Sequence, residues 1–116
     1  MKLQDLRLGN WVIDKFDKRN IHECQIELDD FAAIINFGGS PNVMYKPIIL
    51  NKEWYDKIKD NTHEGVCFSN RDSKFYIVID AGDFEAAWVE IKFVHKAQNL
   101  WYELTEGSEL TIKENV

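Results

Sequence analysis

Residues 66–80 read VCFSNRDSKFYIVID, two runs rich in β-branched and aromatic residues with a polar stretch between them. Such runs are typical of strands, because branched and aromatic side chains fit a pleated, half-buried surface. Residues 66–69 and 74–80 are therefore predicted to be strands, and residues 70–73 to be the tight turn that joins them. Two strands joined in this way run antiparallel.

A third strand is predicted at residues 84–94, after a turn at residues 81–83. Side chains alternate between the two faces of a strand, so Trp88 shares a face with Glu90 and Lys92. This Trp is the exception on an otherwise polar face. The three strands together predict an antiparallel meander.

Two short helices are predicted near residues 51–60 and 95–105. Asn51 can cap the first helix, and Gly107 supplies a turn that ends the second. Apolar residues recur at helical spacing in both stretches. They are Trp54, Tyr55 and Ile58 in the first, and Ala97, Leu100, Trp101 and Leu104 in the second.

The remaining segments are predicted from shorter signals. Residues 11–13, 21–28 and 31–37 are predicted to be strands, residues 43–50 extended, and residues 110–113 a final short strand. The stretch GGSPN at residues 38–42 favours a turn. The whole pattern predicts an antiparallel, β-rich α+β fold, either a meander or a small barrel-like sheet.

Length and composition are consistent with one domain covering residues 1–116. A chain of 116 residues can form one hydrophobic core, and 45% of its residues are apolar. The net charge of -6 disfavours nucleic acid as a partner, because binding to phosphates depends on Lys and Arg. No apolar stretch approaches the roughly 20 residues needed to span a bilayer. A cytoplasmic protein without membrane contact is therefore predicted, and Cys24 and Cys67 are interpreted as buried thiols.

The second predicted helix carries a stripe of hydrogen-bonding side chains. His95, Gln98, Asn99 and Tyr102 fall at helical spacing on one face, with Trp101 beside them. In one interpretation this stripe is a binding site for a polar ligand or a partner. In the other it is structural and ties the helix to neighbouring strands, and this second interpretation is preferred.

The sequence predicts no catalytic residues, no metal ligands and no cofactor. His22, His63 and His95 are scattered along the sequence, and no Ser or Cys stands in a nucleophile-elbow context. His22 and Cys24 would share one face of a strand, but two ligands without a third do not define a metal site. Trp88 is instead the best candidate for an exposed aromatic residue at an interface.

Three blocks of the sequence resemble a family of small uncharacterised proteins encoded in Bacteroidetes phages, prophages and mobile elements. The blocks are LRLGNWV at residues 6–12, YKPIILNKEW at residues 45–54 and VHKAQNLWYELT at residues 94–105. The family pattern has Leu at the place of Ala97. The resemblance carries no activity, and it implies an accessory role in the bacterial cytoplasm.

Two functional hypotheses follow from different classes. The first is a non-enzymatic module that binds a host or phage protein, with a homo-oligomer left open, through exposed aromatic residues and the final helix. The second is a small-molecule binder in which Trp101 or Trp88 stacks on a ring and His95, Gln98 and Asn99 bind its polar edge.

Overall fold

The structure is a computed structural model, and it describes residues 1–16, 22–82 and 85–114. These residues contain two antiparallel sheets together with α-helices, which confirms the predicted α+β class. The chain divides into two compact units, Met1–Ile48 and Ile49–Val116. A single domain over residues 1–116 stays a prediction. Within the described ranges, no helix combines the length and the apolar character needed to cross a membrane.

The first unit is built on a three-stranded antiparallel sheet with the order β2-β1-β3. Its strands are β1 (Trp11–Asp14), β2 (His22–Gln25) and β3 (Tyr45–Pro47), and helix α1 (Leu28–Asn36) follows β2. Val12 on the central strand lies opposite Cys24 and Pro47. The core of this unit contains Leu6, Val12, Ile26, Ile34 and Tyr45.

The prediction of a strand at residues 31–37 is wrong, because helix α1 covers most of this segment. The helix begins where the Glu27 backbone N–H donates to Asp30 Oδ2 at 2.7 Å. It ends where the Gly39 N–H donates to the Ile34 carbonyl at 2.9 Å, with Gly39 at a positive φ of 80°. Apolar runs of this length do not distinguish a strand from a helix, and the acidic first turn decides for the helix.

Helix α1 also shortens the preceding strand, which was predicted to extend over residues 21–28. Strand β2 ends at Gln25 because Leu28 already belongs to the helix. Ile21, the first residue of the predicted strand, lies outside the described residues.

The second unit contains a four-stranded antiparallel meander with the order β4-β5-β6-β7. Its strands are β4 (Thr62–His63), β5 (Val66–Arg71), β6 (Lys74–Ile79) and β7 (Ala87–Glu90). Asp72 and Ser73 join β5 to β6 with positive φ values of 53° and 63°. Two such residues in succession form the hairpin turn whose twist matches that of the strands. The predicted meander is confirmed, and β4 is added to it.

Two helices flank this meander in the sequence, and both were predicted. Helix α2 covers Lys52–Ile58, and Asn51 Oδ1 accepts a hydrogen bond from the Trp54 N–H at 2.9 Å. Helix α3 covers Val94–Leu104.

Two predicted segments differ from the observed ones. Strand β7 is shorter than the predicted residues 84–94, since it covers Ala87–Glu90 and Val94 already belongs to α3. Asp83 and Phe84 lie outside the described residues. The prediction of a final strand at residues 110–113 is wrong. This segment is held instead by Asn61, whose Oδ1 accepts from the Thr111 N–H at 2.9 Å.

The two faces of the four-stranded sheet have different surroundings. Phe68 stacks on Trp101 of α3, with ring centroids 5.2 Å apart, and Phe75 contacts Tyr55 of α2 at 4.9 Å. Both helices therefore pack on the face that carries Phe68 and Phe75. Alternation along the strands places Tyr76 and Trp88 on the opposite face, called the outer face below.

Candidate functional site

The stripe predicted on the final helix packs into the protein. His95 is 1% exposed, Gln98 is 4% exposed and Trp101 is 3% exposed, while Asn99 and Tyr102 are half-buried. A binding site needs side chains that a ligand can reach. The burial of this stripe therefore favours its structural interpretation.

Aromatic contacts hold this helix in place. The His95 ring stacks on Phe93 with centroids 5.9 Å apart, and six residues later Trp101 stacks on Phe68. Thr105 Oγ1 donates to the Trp101 carbonyl at 2.7 Å and closes the last turn. The indole thus packs α3 against its sheet, and the imidazole packs on the residue that precedes the helix.

Trp88 has a different environment, because it lies on the outer face of the sheet. Its side chain is 40% exposed, as the sequence predicted. The rings of Trp88 and Tyr76 meet edge to face, with centroids 5.5 Å apart and an interplanar angle of 73°. The Arg71 guanidinium carbon lies 4.3 Å from the centroid of the indole ring. We call the surface formed by Arg71, Tyr76 and Trp88 the Trp88 surface.

The contacts of the Trp88 surface fix the indole before any partner arrives. Edge-to-face aromatic pairs and a cation over an indole each contribute about 0.5–1.5 kcal/mol at partly exposed sites. An indole already held in one orientation loses less conformational entropy on binding. Trp, Tyr and Arg are also the residue types most enriched among the residues that dominate binding energy at protein interfaces.

Sequence reasoning found Trp88 but missed its two neighbours. The strand register places Trp88 opposite Val78 and Glu90 opposite Tyr76, so Tyr76 is a diagonal neighbour of the indole. Arg71 reaches the same ring from β5, two strands away. Alternation within each strand was visible in the sequence, but the register between strands was not.

A second surface feature in this unit is a groove of about 300 Å³. It lies where residues 49–50 pass the start of β6 and the end of β7. Its lining combines the apolar residues Ile49, Leu50, Phe75, Ile91 and Phe93 with Ser73, Lys74, Glu90 and Lys92. The lining includes none of the six predicted site residues. Three separate chain segments build the groove, and their proximity is not visible in the sequence.

Polar groups of the first unit are held in their protonated forms. The Tyr45 hydroxyl donates to Asp30 Oδ1 at 2.6 Å, and burial together with this bond raises the pKa of Tyr45 well above its usual range. Burial, with the nearby Asp14 and Asp30 carboxylates, raises the pKa of Cys24 to about 11. Within the described part of the chain, no three His, Cys, Asp or Glu side chains are grouped so as to hold a metal ion. The side chain of His22 lies outside this description.

The prediction that both cysteines are buried is wrong for Cys67, which is exposed, while Cys24 is half-buried. We expect iodoacetamide at pH 8 to alkylate Cys67 at least about tenfold faster than Cys24, since only the thiolate reacts and a raised pKa keeps Cys24 protonated. Peptide mapping by mass spectrometry measures both rates. The rate at Cys24 should rise as the pH approaches 11, and both rates should converge in guanidinium chloride. Equal rates in the folded protein would contradict the burial of Cys24.

Comparison with protein-family models, with curated proteins and with solved structures finds no match.

Proposed function

We propose that this protein is a non-enzymatic protein-binding module that uses the Trp88 surface to contact a host or phage protein. The observation that supports this proposal is the association of Arg71, Tyr76 and Trp88 on one exposed sheet face. Each of these residues comes from a different strand, so a rigid sheet holds the set together. Surfaces built on regular strands position side chains more accurately than loops do.

The chemistry of the Trp88 surface suits an interface. The indole offers a large apolar area, and the Arg71 guanidinium offers several donors to a partner carboxylate or carbonyl. The guanidinium keeps those donors while it stacks on the ring, because cation–π contact uses its face and hydrogen bonds use its edge. A partner segment with an apolar residue next to an acceptor group fits this arrangement.

The phage and mobile-element setting, in the bacterial cytoplasm, belongs to the same proposal. Its support is the resemblance of three sequence blocks to the family of small phage-encoded proteins. Small accessory proteins of this kind act by binding, which is an argument from analogy and not from the site.

The alternative of a small-molecule site on α3 has weaker support. His95, Gln98 and Trp101 are buried, so a ligand would have to open the contact between α3 and the sheet. Native mass spectrometry tests this alternative directly. A small mass that stays on the folded protein and leaves on denaturation would support it against the present proposal.

The proposal predicts that Trp88→Ala weakens partner binding by at least about thirtyfold, the effect of losing a residue worth about 2 kcal/mol at an interface. Lysate of a phage-infected Bacteroidetes host is passed over immobilised protein, and retained proteins are quantified by mass spectrometry. A protein identified in this way is purified, and its affinity for each variant is measured by isothermal titration calorimetry.

Leu28→Ala is the matched control, because Leu28 is an apolar residue with 73% exposure that lies in the other unit. The partner should be retained by the wild type and by this control, and lost with Trp88→Ala. A partner that binds Trp88→Ala as tightly as the wild type would show that the Trp88 surface is not the binding site.

A further inference from the structure

Strand β7 is the last strand of its sheet, and its outer edge can be assigned residue by residue. The Ile91 N–H donates to the Phe75 carbonyl at 2.8 Å, so residue 91 directs its main-chain groups towards β6. Successive residues of a strand direct these groups to opposite sides. Trp88 and Glu90 therefore direct their N–H and C=O groups away from β6. Lys92 follows the same alternation, since its carbonyl accepts from the Leu50 N–H at 2.9 Å on that outer side.

Among residues 1–16, 22–82 and 85–114, the chain itself covers this edge only beyond β7. Ile49 forms an isolated antiparallel bridge with Phe93, and the next residue, Leu50, bonds to Lys92. The chain then turns away, because Asn51 caps helix α2. All four residues of β7 are exposed. Among the described residues, the outward main-chain groups of Trp88 and Glu90 therefore face no neighbouring strand. They lie on the same edge as Lys92 and Phe93, which residues 49–50 cover.

The open edge lacks two of the residue types by which proteins commonly prevent strand pairing, Pro and Lys. Its sequence, Ala-Trp-Val-Glu, contains no Pro and no Lys, and Trp88 and Val89 are exposed apolar residues. Edge strands with unpaired main-chain groups and apolar side chains pair readily with another strand.

We propose that β7 pairs antiparallel with β7 of a second copy of this chain, about a two-fold axis through Val89. In this register Trp88 lies opposite the partner's Glu90, and Glu90 lies opposite the partner's Trp88. Both are outward-directed positions, so the two pairs together exchange about four main-chain hydrogen bonds. The two four-stranded sheets become one continuous sheet.

Charge and space exclude the neighbouring registers. An axis through Glu90 would place two carboxylates directly opposite each other, and it would need the Lys92 edge that Leu50 already occupies. An axis through Trp88 would pair Glu90 with the partner's Ala86, which lies before β7 begins. Only the axis through Val89 pairs the two outward-directed residues of β7, Trp88 and Glu90, with each other, and it separates the like charges.

This self-association goes beyond the proposed function, since it needs no other protein. It also places two copies of the Trp88 surface on the same face of one sheet. A partner that contacts both copies would bind more tightly than one that contacts a single copy.

Sedimentation equilibrium tests the pairing. The wild type should sediment at twice the chain mass of 13.6 kDa across micromolar to sub-millimolar concentrations. Glu90→Pro removes an outward N–H that takes no part in the bonds to β6, so it should sediment as a monomer with an unchanged circular dichroism spectrum. Glu90→Gln keeps that N–H and should remain a dimer. A monomeric wild type, or a dimeric Glu90→Pro variant, would overturn the proposal.

A crosslinking experiment tests the register and does not depend on the proline variant. Both Val89 residues would face each other at a non-hydrogen-bonded position, with Cα atoms about 4.5 Å apart, which a disulfide can bridge. In a Cys67→Ser background, Val89→Cys should form a covalent dimer on mild oxidation, whereas Ala87→Cys, roughly 13 Å from its counterpart, should not. Equal crosslinking at both positions, or none at Val89→Cys, would refute an axis through Val89. The two proposals are tested by different measurements. A Trp88→Ala variant that remains a dimer but no longer captures the partner would support the binding surface without bearing on the strand pairing.

Discussion

Replacing Trp101 with Ala should lower the free energy of unfolding by about 3–5 kcal/mol, the range for deleting a large aromatic side chain from a core. Trp101 is 3% exposed and stacks on Phe68 with an interplanar angle of 15°. The substitution removes this stack and leaves a cavity between α3 and the sheet. Urea denaturation followed by circular dichroism measures the change.

Trp88→Ala is the matched control for this prediction, because it removes the same side chain from the outer face of the same unit. Its cost should be about 1–3 kcal/mol, less than that of Trp101→Ala, from the lost contacts with Tyr76 and Arg71. A smaller loss of stability for Trp88→Ala than for Trp101→Ala would also show that the Trp88→Ala protein is folded in the binding experiment. Similar losses for the two substitutions would contradict the assignment of Trp101 to the core and Trp88 to the surface.

Replacing Ile34 with Ala should cost about 2–5 kcal/mol, because the deletion leaves a cavity in the core of the first unit. Ile34 is fully buried on α1, among Leu6, Val12, Ile26 and Tyr45. The measurement is again the midpoint of urea denaturation, with the slope of the transition checked for constancy.

The neighbouring Ile35 provides the control, since it is 60% exposed on the same helix. Ile35→Ala should change the free energy of unfolding by no more than about 0.5 kcal/mol. This pair of substitutions tests the helix that replaces the strand predicted at residues 31–37. If Ile35→Ala were the more damaging of the two, the orientation of α1 would be wrong.

The correct predictions all concern elements that short-range interactions specify. Helix α2 follows from the Asn51 cap and from the spacing of Trp54, Tyr55 and Ile58, and its bounds lie within the range predicted. The β5–β6 hairpin follows from two β-rich runs and a polar turn between them. Backbone preference and side-chain spacing act within a few residues, so the sequence carries them directly.

The error at helix α1 shows where short-range signals conflict. The run FAAIINF has high apolar content without a clear period, which suits either a strand or a buried helix. Two features favour the helix: the hydrogen bond that the Glu27 N–H donates to the Asp30 carboxylate, and the burial of Ile34. The second of these depends on the core of the unit and is absent from the local sequence.

The candidate sites depend on contacts between distant segments. Alternation along β7 predicted that Trp88 would be exposed, but Tyr76 and Arg71 join it only through the register of three strands. Spacing along α3 identified a stripe of polar residues, but the packing of α3 decided that His95 and Gln98 are buried.

The sequence by itself thus determined the fold class, the positions of helices α2 and α3, and the faces of the final meander. Tertiary structure decided which face each helix covers, which side chains meet at Trp88, and which strand edge remains open. The physical reason is one of range. Capping, turn preference and periodicity act between near neighbours in the chain, whereas burial and strand register are set by residues brought together only on folding.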